Sequence, residues 1–246
     1  MKIFSFRIKK SNKRKSFIAN AIIFSMLFVV LAFSYAGGTL QVFNKAQGEE
    51  AIYFGDRSSN KVSLMVNVYW GDEFIQPMLD IFKEKNCTTT FFVGGVWASK
   101  NAEMLNKIIE YGHEIGNHGY YHKDQNKISQ EENYKEISQT HQIVKSLSGV
   151  EMNLFAPPSG AYNDTTLSVA YSLGYKTIMW TLDTIDWRDQ DKNLILSRAI
   201  KNTKGGDLIL MHPTAKTLEA LPDIIDTLKA KGLEIATVSQ TLGTGL

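Results

Sequence analysis

Two histidines stand four residues apart in the stretch GNHGYYHKD, which covers residues 116–124. His118 and His122 can present two imidazoles from one short turn, and imidazole is a good ligand for a borderline divalent ion such as zinc. The H-x-x-x-H spacing alone is weak evidence, because two solvated loop histidines would have the same spacing. The sequence therefore raises the question of a third ligand.

Two further stretches carry groups that catalysis commonly uses. In WTLDTIDW, residues 180–187, Asp183 and Asp186 stand between two tryptophans. This pattern fits a sugar groove, although a capping aspartate and core tryptophans are the alternative. The apolar run LILMHP ends on His212, and a neighbouring carboxylate would raise the pKa of this imidazole and make it a proton donor near neutral pH. Asp186 is its predicted partner.

The chain between these residues alternates between strand and helix patterns. KVSLMVNV (61–68) and KTIMWTLD (176–183) predict strands, and apolar residues at 74, 78, 79 and 82 predict a helix. Six or seven such units with short connections predict a parallel sheet covered by helices, closed or nearly closed into a barrel. Polar residues fall at the predicted carboxyl ends of strands, where a barrel keeps its active site. These residues are Asn67, His118, Asp183 and His212.

The N-terminal part predicts export. The first 15 residues carry seven lysines and arginines and no acid, and residues 17–35 form an uncharged apolar run. This run has the length of a transmembrane helix, and the basic flank places residues 1–16 in the cytoplasm. A secreted protein, cleaved after Ala36, is the alternative. We expect a single-pass protein of the cell membrane, with a tether over 36–60 and an extracellular domain over 61–246. The alternative for the tether is an ordered segment, in which AIYF (51–54) packs as an outer strand.

Composition narrows the class of partner. Residues 16–246 carry more acidic than basic side chains, which argues against nucleic acid as a partner, because phosphate binding needs a basic surface. The single cysteine, Cys87, lies in an apolar run and is best interpreted as a small buried residue. Tyr120 and Tyr121 fit either a groove wall or a plain turn.

The order of the motifs resembles that of the polysaccharide deacetylases of the NodB-homology type. The resemblance runs from about Lys61 to Leu242 and is carried by TTTFFVGG, YGHEIGNHGYYH, PPSGAYN, WTLDTIDW and LILMHP. The first motif, VNVYWGDE, is most similar to the sporulation-associated branch. The resemblance implies an α/β fold, a distorted (β/α)7-type barrel, here preceded by the predicted transmembrane helix.

The resemblance also implies roles for residues of this sequence. Members of the family remove N-acetyl groups from polymeric amino sugars with a metal, usually zinc, that two histidines and an aspartate hold. By position, His118 and His122 would bind the metal, His212 would be the general acid and Asp186 would orient it. A groove for the glycan would be formed by Asn67, Trp70, Pro157, Ser159, Tyr162, Asp183 and Trp187.

The sequence departs from the family where the base should be. Asn67 and Val68 stand in place of two adjacent aspartates, the base and the metal ligand, and Ala156 replaces the arginine that pairs with the base. An amide cannot accept a proton near neutral pH, and valine cannot bind a metal. Asp72 or Glu73 could serve as replacements, or could simply stabilise the start of the following helix.

Two classes of function follow from this sequence. We expect a Zn²⁺-dependent hydrolase that removes N-acetyl groups from peptidoglycan or a related cell-surface polysaccharide, with His212, Asp186 and Asp72 as catalytic residues. The first alternative is a catalytically impaired glycan-binding or cell-wall protein on the same scaffold. A second alternative is an esterase acting on O-acetylated sugars.

Overall fold

The computed structural model describes residues 17–18, 20–28 and 49–243. The chain divides into two compact units, residues 1–45 and residues 46–246. The second unit holds every strand of the described part and all of the predicted site residues.

Little of the first unit is described. Residues 17–18 and 20–28 are helical. The predicted basic segment 1–16, the second part of the predicted anchor (29–35) and most of the predicted tether (36–48) lie outside the described residues. Among the helices of the described ranges, none combines the length and the hydropathy that crossing a bilayer requires.

The second unit alternates strands and helices, as the sequence predicts. The longest strand, β1 (Lys61–Val68), is almost entirely buried, which agrees with its run of apolar residues. Seven short strands follow it: β2 (Thr90–Val93), β3 (Glu114–Asn117), β4 (Leu154–Phe155), β5 (Lys176–Thr177), β6 (Leu182–Asp183), β7 (Leu208–Met211) and β8 (Glu234–Ile235).

The helices begin where the sequence offers caps. Ser129 and Glu132 form the predicted capping box at the start of the longest described helix, and Gly112 adopts the predicted left-handed turn after another. The helices are α1 (Asp72–Glu84), α2 (Gly95–Lys100), α3 (Ala102–Glu110), α4 (Gln130–Ser148), α5 (Asp164–Ser172), α6 (Lys192–Ile200), α7 (Ala215–Ala230) and α8 (Val238–Thr241).

All strand pairs are parallel, which confirms the predicted arrangement. The order is β5-β4-β3-β2-β1-β7-β6, and β8 pairs with the beginning of β1. The two ends of this order, β5 and β6, follow each other in the chain. The prediction of one continuous strand over residues 176–183 is therefore wrong. Residues 178–181 cross from one sheet edge to the other and separate β5 from β6.

Residues 51–56 link the edge strand β5 to the start of β7, the strand beside the other edge. Ile52 forms a parallel bridge with Ile178, just after β5, and Phe54 forms an antiparallel bridge with Asp207, just before β7. Gly55 N also donates to Gly206 O at 2.7 Å. This part of the predicted tether thus packs on the barrel as an ordered segment.

Alternation along β1 separates two apolar layers. Val66 and Val68 belong to the large cluster that the strands form with the helices, together with α1 residues such as Ile75. Met65 belongs to a smaller cluster that also holds Phe92 and other strand residues. Because side chains alternate between the two faces of a strand, Asn67 shares the face of Met65 and lies inside the barrel, whereas Val68 faces the helices.

Candidate functional site

A cleft opens at the carboxyl ends of the strands, where the sequence predicts it. Its volume is about 440 Å³, a size typical of small-ligand sites. Four aromatic rings line it: Tyr69, Trp70, Trp180 and Trp187. The polar side chains at its wall are Asn67, His118, His122, Ser159, Asp183 and His212.

The structure brings His118 and His122 together on the loop that follows β3. Their ring centroids are 5.0 Å apart at an interplanar angle of 72°. His118 Nδ1 lies 2.7 Å from Ala156 O, and a carbonyl can only accept, so Nδ1 carries the proton and Nε2 keeps its lone pair. The ring of Tyr69 stacks on His122 at 4.5 Å.

Both imidazoles are held in the neutral form. Burial lowers the pKa of His118 to about 3. Burial also lowers the pKa of His122. Removal of a charged imidazolium from water is unfavourable, and no carboxylate hydrogen-bonds to either ring within the described residues. At neutral pH the pair offers nitrogen lone pairs and N–H donors but no charge.

Two buried side chains hold the histidine loop, the segment 118–122 that follows β3. Asn117 Oδ1 accepts from Gly119 N at 2.9 Å, and Glu136 Oε2 accepts from Tyr121 N at 2.8 Å. His122 itself adopts a left-handed backbone conformation, with φ of 57°. The position of the pair is therefore set by the loop and by α4, not by contacts between the rings alone.

Asp186 and His212 form a fully bonded pair at the opposite wall. Asp186 is completely buried and accepts from His212 Nδ1 at 2.8 Å and from His212 N at 2.7 Å. Thr217 Oγ1 donates to the second carboxylate oxygen. Trp70 lies parallel to the ring of His212, with centroids 6.2 Å apart. A carboxylate so placed fixes the tautomer of His212 and leaves Nε2 facing the cleft.

The end of β1 carries no ionisable side chain, since Asn67 and Val68 are its last two residues. Asn67 lines the cleft, is 4% exposed, and its Oδ1 has no hydrogen-bond partner among the described residues. Val68 and Ala156 are completely buried in apolar clusters. The structure therefore places an unpaired amide and two apolar side chains where the resemblance implies two aspartates and an arginine.

The residues present do not fit the zinc ion that the resemblance implies. Zinc sites in proteins have at least three protein ligands, and catalytic sites keep a fourth position open. Within the described ranges, no three His, Cys, Asp or Glu side chains are grouped so as to hold an ion. His118 and His122 supply two nitrogens, and the position that should supply the carboxylate is Val68.

Asp72 stands apart from the histidines. It is exposed in the first turn of α1, accepts from Trp97 Nε1, and is not among the residues that line the cleft. Gly71, with φ of 81°, turns the chain into this helix. The contacts of Asp72 agree with the alternative interpretation, a side chain that stabilises the start of α1.

The other predicted groove residues divide into two sets. Ser159, Asp183 and Trp187 line the cleft; burial raises the pKa of Asp183, whose Oδ1 accepts from Ile185 N. The remaining two do not line it. Pro157 is buried, and Tyr162 hydrogen-bonds through its hydroxyl to that of Tyr53 at 2.6 Å.

Sequence reasoning missed two residues of the site, Tyr69 and Thr217. Tyr69 follows β1 directly, and its neighbour Trp70 was the only available signal. Trp180, one of the two tryptophans of the predicted sugar groove, does line the cleft. Thr217, three residues after the helix cap Thr214, could not be connected with Asp186 without the fold.

The sequence model of the polysaccharide deacetylase family matches residues 55–178. The chain is 35% identical to the protein YlxY of Bacillus subtilis over 193 residues, which are 78% of this chain and 60% of the relative. A peptidoglycan-N-acetylglucosamine deacetylase of Bacillus cereus is 31% identical over 171 residues, or 67% of this chain and 80% of the relative.

A solved structure gives a closely matching fold. A CE4 family pseudoenzyme from Bacillus anthracis superposes with a TM-score of 0.78 at 33% identity, over 80% of this chain and 70% of that one. A mutant of the same pseudoenzyme is described as having restored enzymatic activity. The match therefore spans 60% of the length of YlxY and 70% of the pseudoenzyme chain.

Proposed function

We propose, since this chain belongs to the polysaccharide deacetylase family, that its cleft binds the N-acetylated amino-sugar strand of peptidoglycan without hydrolysing it. One observation carries the proposal. The cleft keeps its aromatic walls and the Asp186–His212 pair, whereas the buried end of β1 offers only Asn67 and Val68.

The walls of the cleft are suited to sugar rings. Trp70 and Trp187 expose 44% and 55% of their surfaces, and Tyr69 exposes 39%. Aromatic faces bury the apolar faces of sugars, while a few fixed polar groups orient the hydroxyl and acetamide groups. Here Asp183 and Asn67, whose Oδ1 has no partner within the described part of the chain, are such groups.

Hydrolysis of an acetamide needs a base that activates water. The amide of Asn67 has no basic lone pair at neutral pH, and the described residues include no group of three His, Cys, Asp or Glu side chains that could hold a metal to activate the water instead. When its ring is protonated, His212, whose Nδ1 donates to Asp186, can also donate a proton or a hydrogen bond from Nε2 to a bound acetamide. Without a base this half of the site contributes to binding and orientation only.

Peptidoglycan is the proposed ligand because of the named relatives. One of them is a peptidoglycan-N-acetylglucosamine deacetylase, and another is a peptidoglycan-N-acetylmuramic acid deacetylase. We also retain as proposals the export and membrane anchoring through residues 17–35, and a role in sporulation. Fractionation of cells and accessibility of the domain to added protease test the location.

A second candidate is a hydrolase of N-acetyl or O-acetyl sugars. The observation that favours it is the acid half of the site, in which Asp186 accepts three hydrogen bonds, two of them from His212. An O-acetyl ester is more easily cleaved than an amide, so a site with an acid and no base would act on the ester first.

Binding and acetate release separate the two candidates. We expect the full chain to bind oligomers of N-acetylglucosamine in calorimetry, with Trp187→Ala weakening binding about tenfold. Tyr171→Ala is the matched control and should bind normally, because it removes an aromatic side chain that is 42% exposed, against 55% for Trp187, and that lies outside the cleft. Acetate released catalytically from acetylated glycan, and abolished by His212→Ala, would overturn the binding proposal in favour of the hydrolase.

A further inference from the structure

A second groove lies beside the cleft along the histidine loop. Its volume is about 490 Å³, and it runs between this loop and one face of α4. The hydroxyl of Tyr69, a cleft residue, donates to Tyr121 O at 3.5 Å, and Tyr121 lines the groove. The cleft and the groove therefore meet at this pair of tyrosines.

The groove carries aromatic and neutral polar groups. Tyr121 exposes 56% of its surface and packs edge-on against Tyr120, with ring centroids 4.7 Å apart. Gln139, Gln142 and Ser146 are exposed and share one face of α4. No charged side chain of the described residues lines it. An exposed ring beside amides and a hydroxyl suits an uncharged sugar better than an anion or an apolar helix.

The aromatic platform is already ordered. Tyr121 N donates to Glu136 Oε2 at 2.8 Å, and Glu136 is 3% exposed. Neighbouring Gly119 is tied to Asn117. Binding on a fixed platform loses less conformational entropy than binding on a loose loop, so more of the contact energy appears as affinity.

We propose that this groove binds the continuing sugars of the glycan strand that occupies the cleft, so that affinity rises with chain length. The inference rests on the proposed function. A cleft of about 440 Å³ encloses a ligand of drug size, and a polymeric strand must leave it across the surface. The junction at Tyr69 and Tyr121 gives that strand a continuous path.

The test compares a short and a long oligomer of N-acetylglucosamine. Calorimetry with the full chain measures affinity for the dimer and for the hexamer. We expect the hexamer to bind at least about tenfold more tightly, and Tyr121→Ala and Gln142→Ala each to weaken hexamer binding about five- to tenfold. Dimer binding should change less than about twofold in both variants, because the dimer fits within the cleft.

Tyr134→Ala is the matched control. Tyr134 lies on the same helix, is 50% exposed and is not part of the groove, so its removal should leave both affinities unchanged. Equal affinities for dimer and hexamer, or equal losses for both ligands in Tyr121→Ala, would overturn the groove while the cleft proposal stands. Absence of binding to either oligomer would overturn the proposed function, and the groove with it.

Discussion

The two walls of the cleft differ in how their buried polar groups are satisfied. On one wall, here called the dyad wall, Asp186 accepts hydrogen bonds from the backbone and ring of His212 and from Thr217. On the other, the β1 wall, Asn67 Oδ1 has no partner among the described residues, and Val68 beside it is buried among aliphatic side chains.

The comparison sets a wall that has the residues implied by the family resemblance against a wall that lacks them. On the β1 wall, an acidic residue would have no arginine to pair with, since Ala156 occupies that position, so a neutral amide is the more stable choice. On the dyad wall, the carboxylate of Asp186 accepts a hydrogen bond from each neighbouring donor, so its removal would leave buried donors unpaired. The dyad wall is thus stabilised by its own hydrogen bonds, independently of whether it performs chemistry.

The largest contrast should come from truncating one residue on each wall. Asp186→Ala leaves three hydrogen-bond donors without their acceptor, and we expect a loss of about 4 kcal/mol in the free energy of unfolding. Asn67→Ala removes an amide whose oxygen has no partner in the described part of the chain, and should cost about 1 kcal/mol. Urea unfolding measures both values; similar losses would contradict the contrast.

Restoring an acid on the β1 wall should be unfavourable. Val68 is completely buried and faces the helix layer, so Val68→Asp places a carboxyl group among aliphatic side chains and should cost about 3 kcal/mol. Val68→Ile, which keeps the position apolar, is the control and should cost less than about 1.5 kcal/mol. Urea unfolding with a chelator present makes the comparison, and an unchanged midpoint for Val68→Asp would show that position 68 reaches water.

The neutral histidines predict an acid-sensitive fold. The pKa of His118 is lowered to about 3 in the folded state, from an ordinary value near 6.5. Between these pH values the unfolded chain binds more protons, so stability is fully present above pH 6.5 and falls as the pH drops towards 3.

We expect His118→Asn to reduce this loss by about 2 to 3 kcal/mol at pH 4, relative to pH 7. His113, whose pKa burial lowers to about 4, should keep part of the pH dependence in that variant. Thermal unfolding at a series of pH values, with NMR titration of the His118 ring, provides the measurement. A His118 that titrates near pH 6.5 would refute the assignment.

The smallest effect concerns Thr217, the member of the dyad wall that is buried behind Asp186 and does not line the cleft. Thr217→Val keeps the shape of the side chain and removes the hydroxyl that donates to Asp186, for an expected cost of about 1 kcal/mol. Thr217→Ser keeps the hydroxyl and should cost less than Val in the same urea experiment. A serine variant no more stable than the valine variant would mean that volume, not the hydrogen bond, matters here.

The fold was largely predictable from the sequence because strand and helix patterns are local. β1, the capping box at Ser129 and the parallel pairing of the strands all followed from apolar spacing and cap chemistry. The break within residues 176–183 did not, since an apolar strand pattern does not reveal which neighbour each half pairs with. The sequence left open whether residues 51–54 pack as an outer strand, and their partners were hidden for the same reason: both bridges join segments more than 100 residues apart.

The site was predictable where a side chain follows a strand directly. His118 and His212 fall at strand ends, so the barrel brings them to the same edge whatever the loops do. Asp72 lies in the first turn of α1, and Pro157 and Tyr162 lie in loops, so the backbone conformation beyond the strand end decides the direction of each side chain. Sequence spacing gives no access to that direction, and these three residues lie outside the cleft lining.

The bridge that Ile52 makes with Ile178 has a practical consequence for shortened versions of the protein. A fragment beginning at Lys61, where the first strand starts, would uncover the backbone that follows β5. Exposed strand edges recruit other chains, so such a fragment should aggregate during purification, whereas one that begins before Ala51 should stay monodisperse.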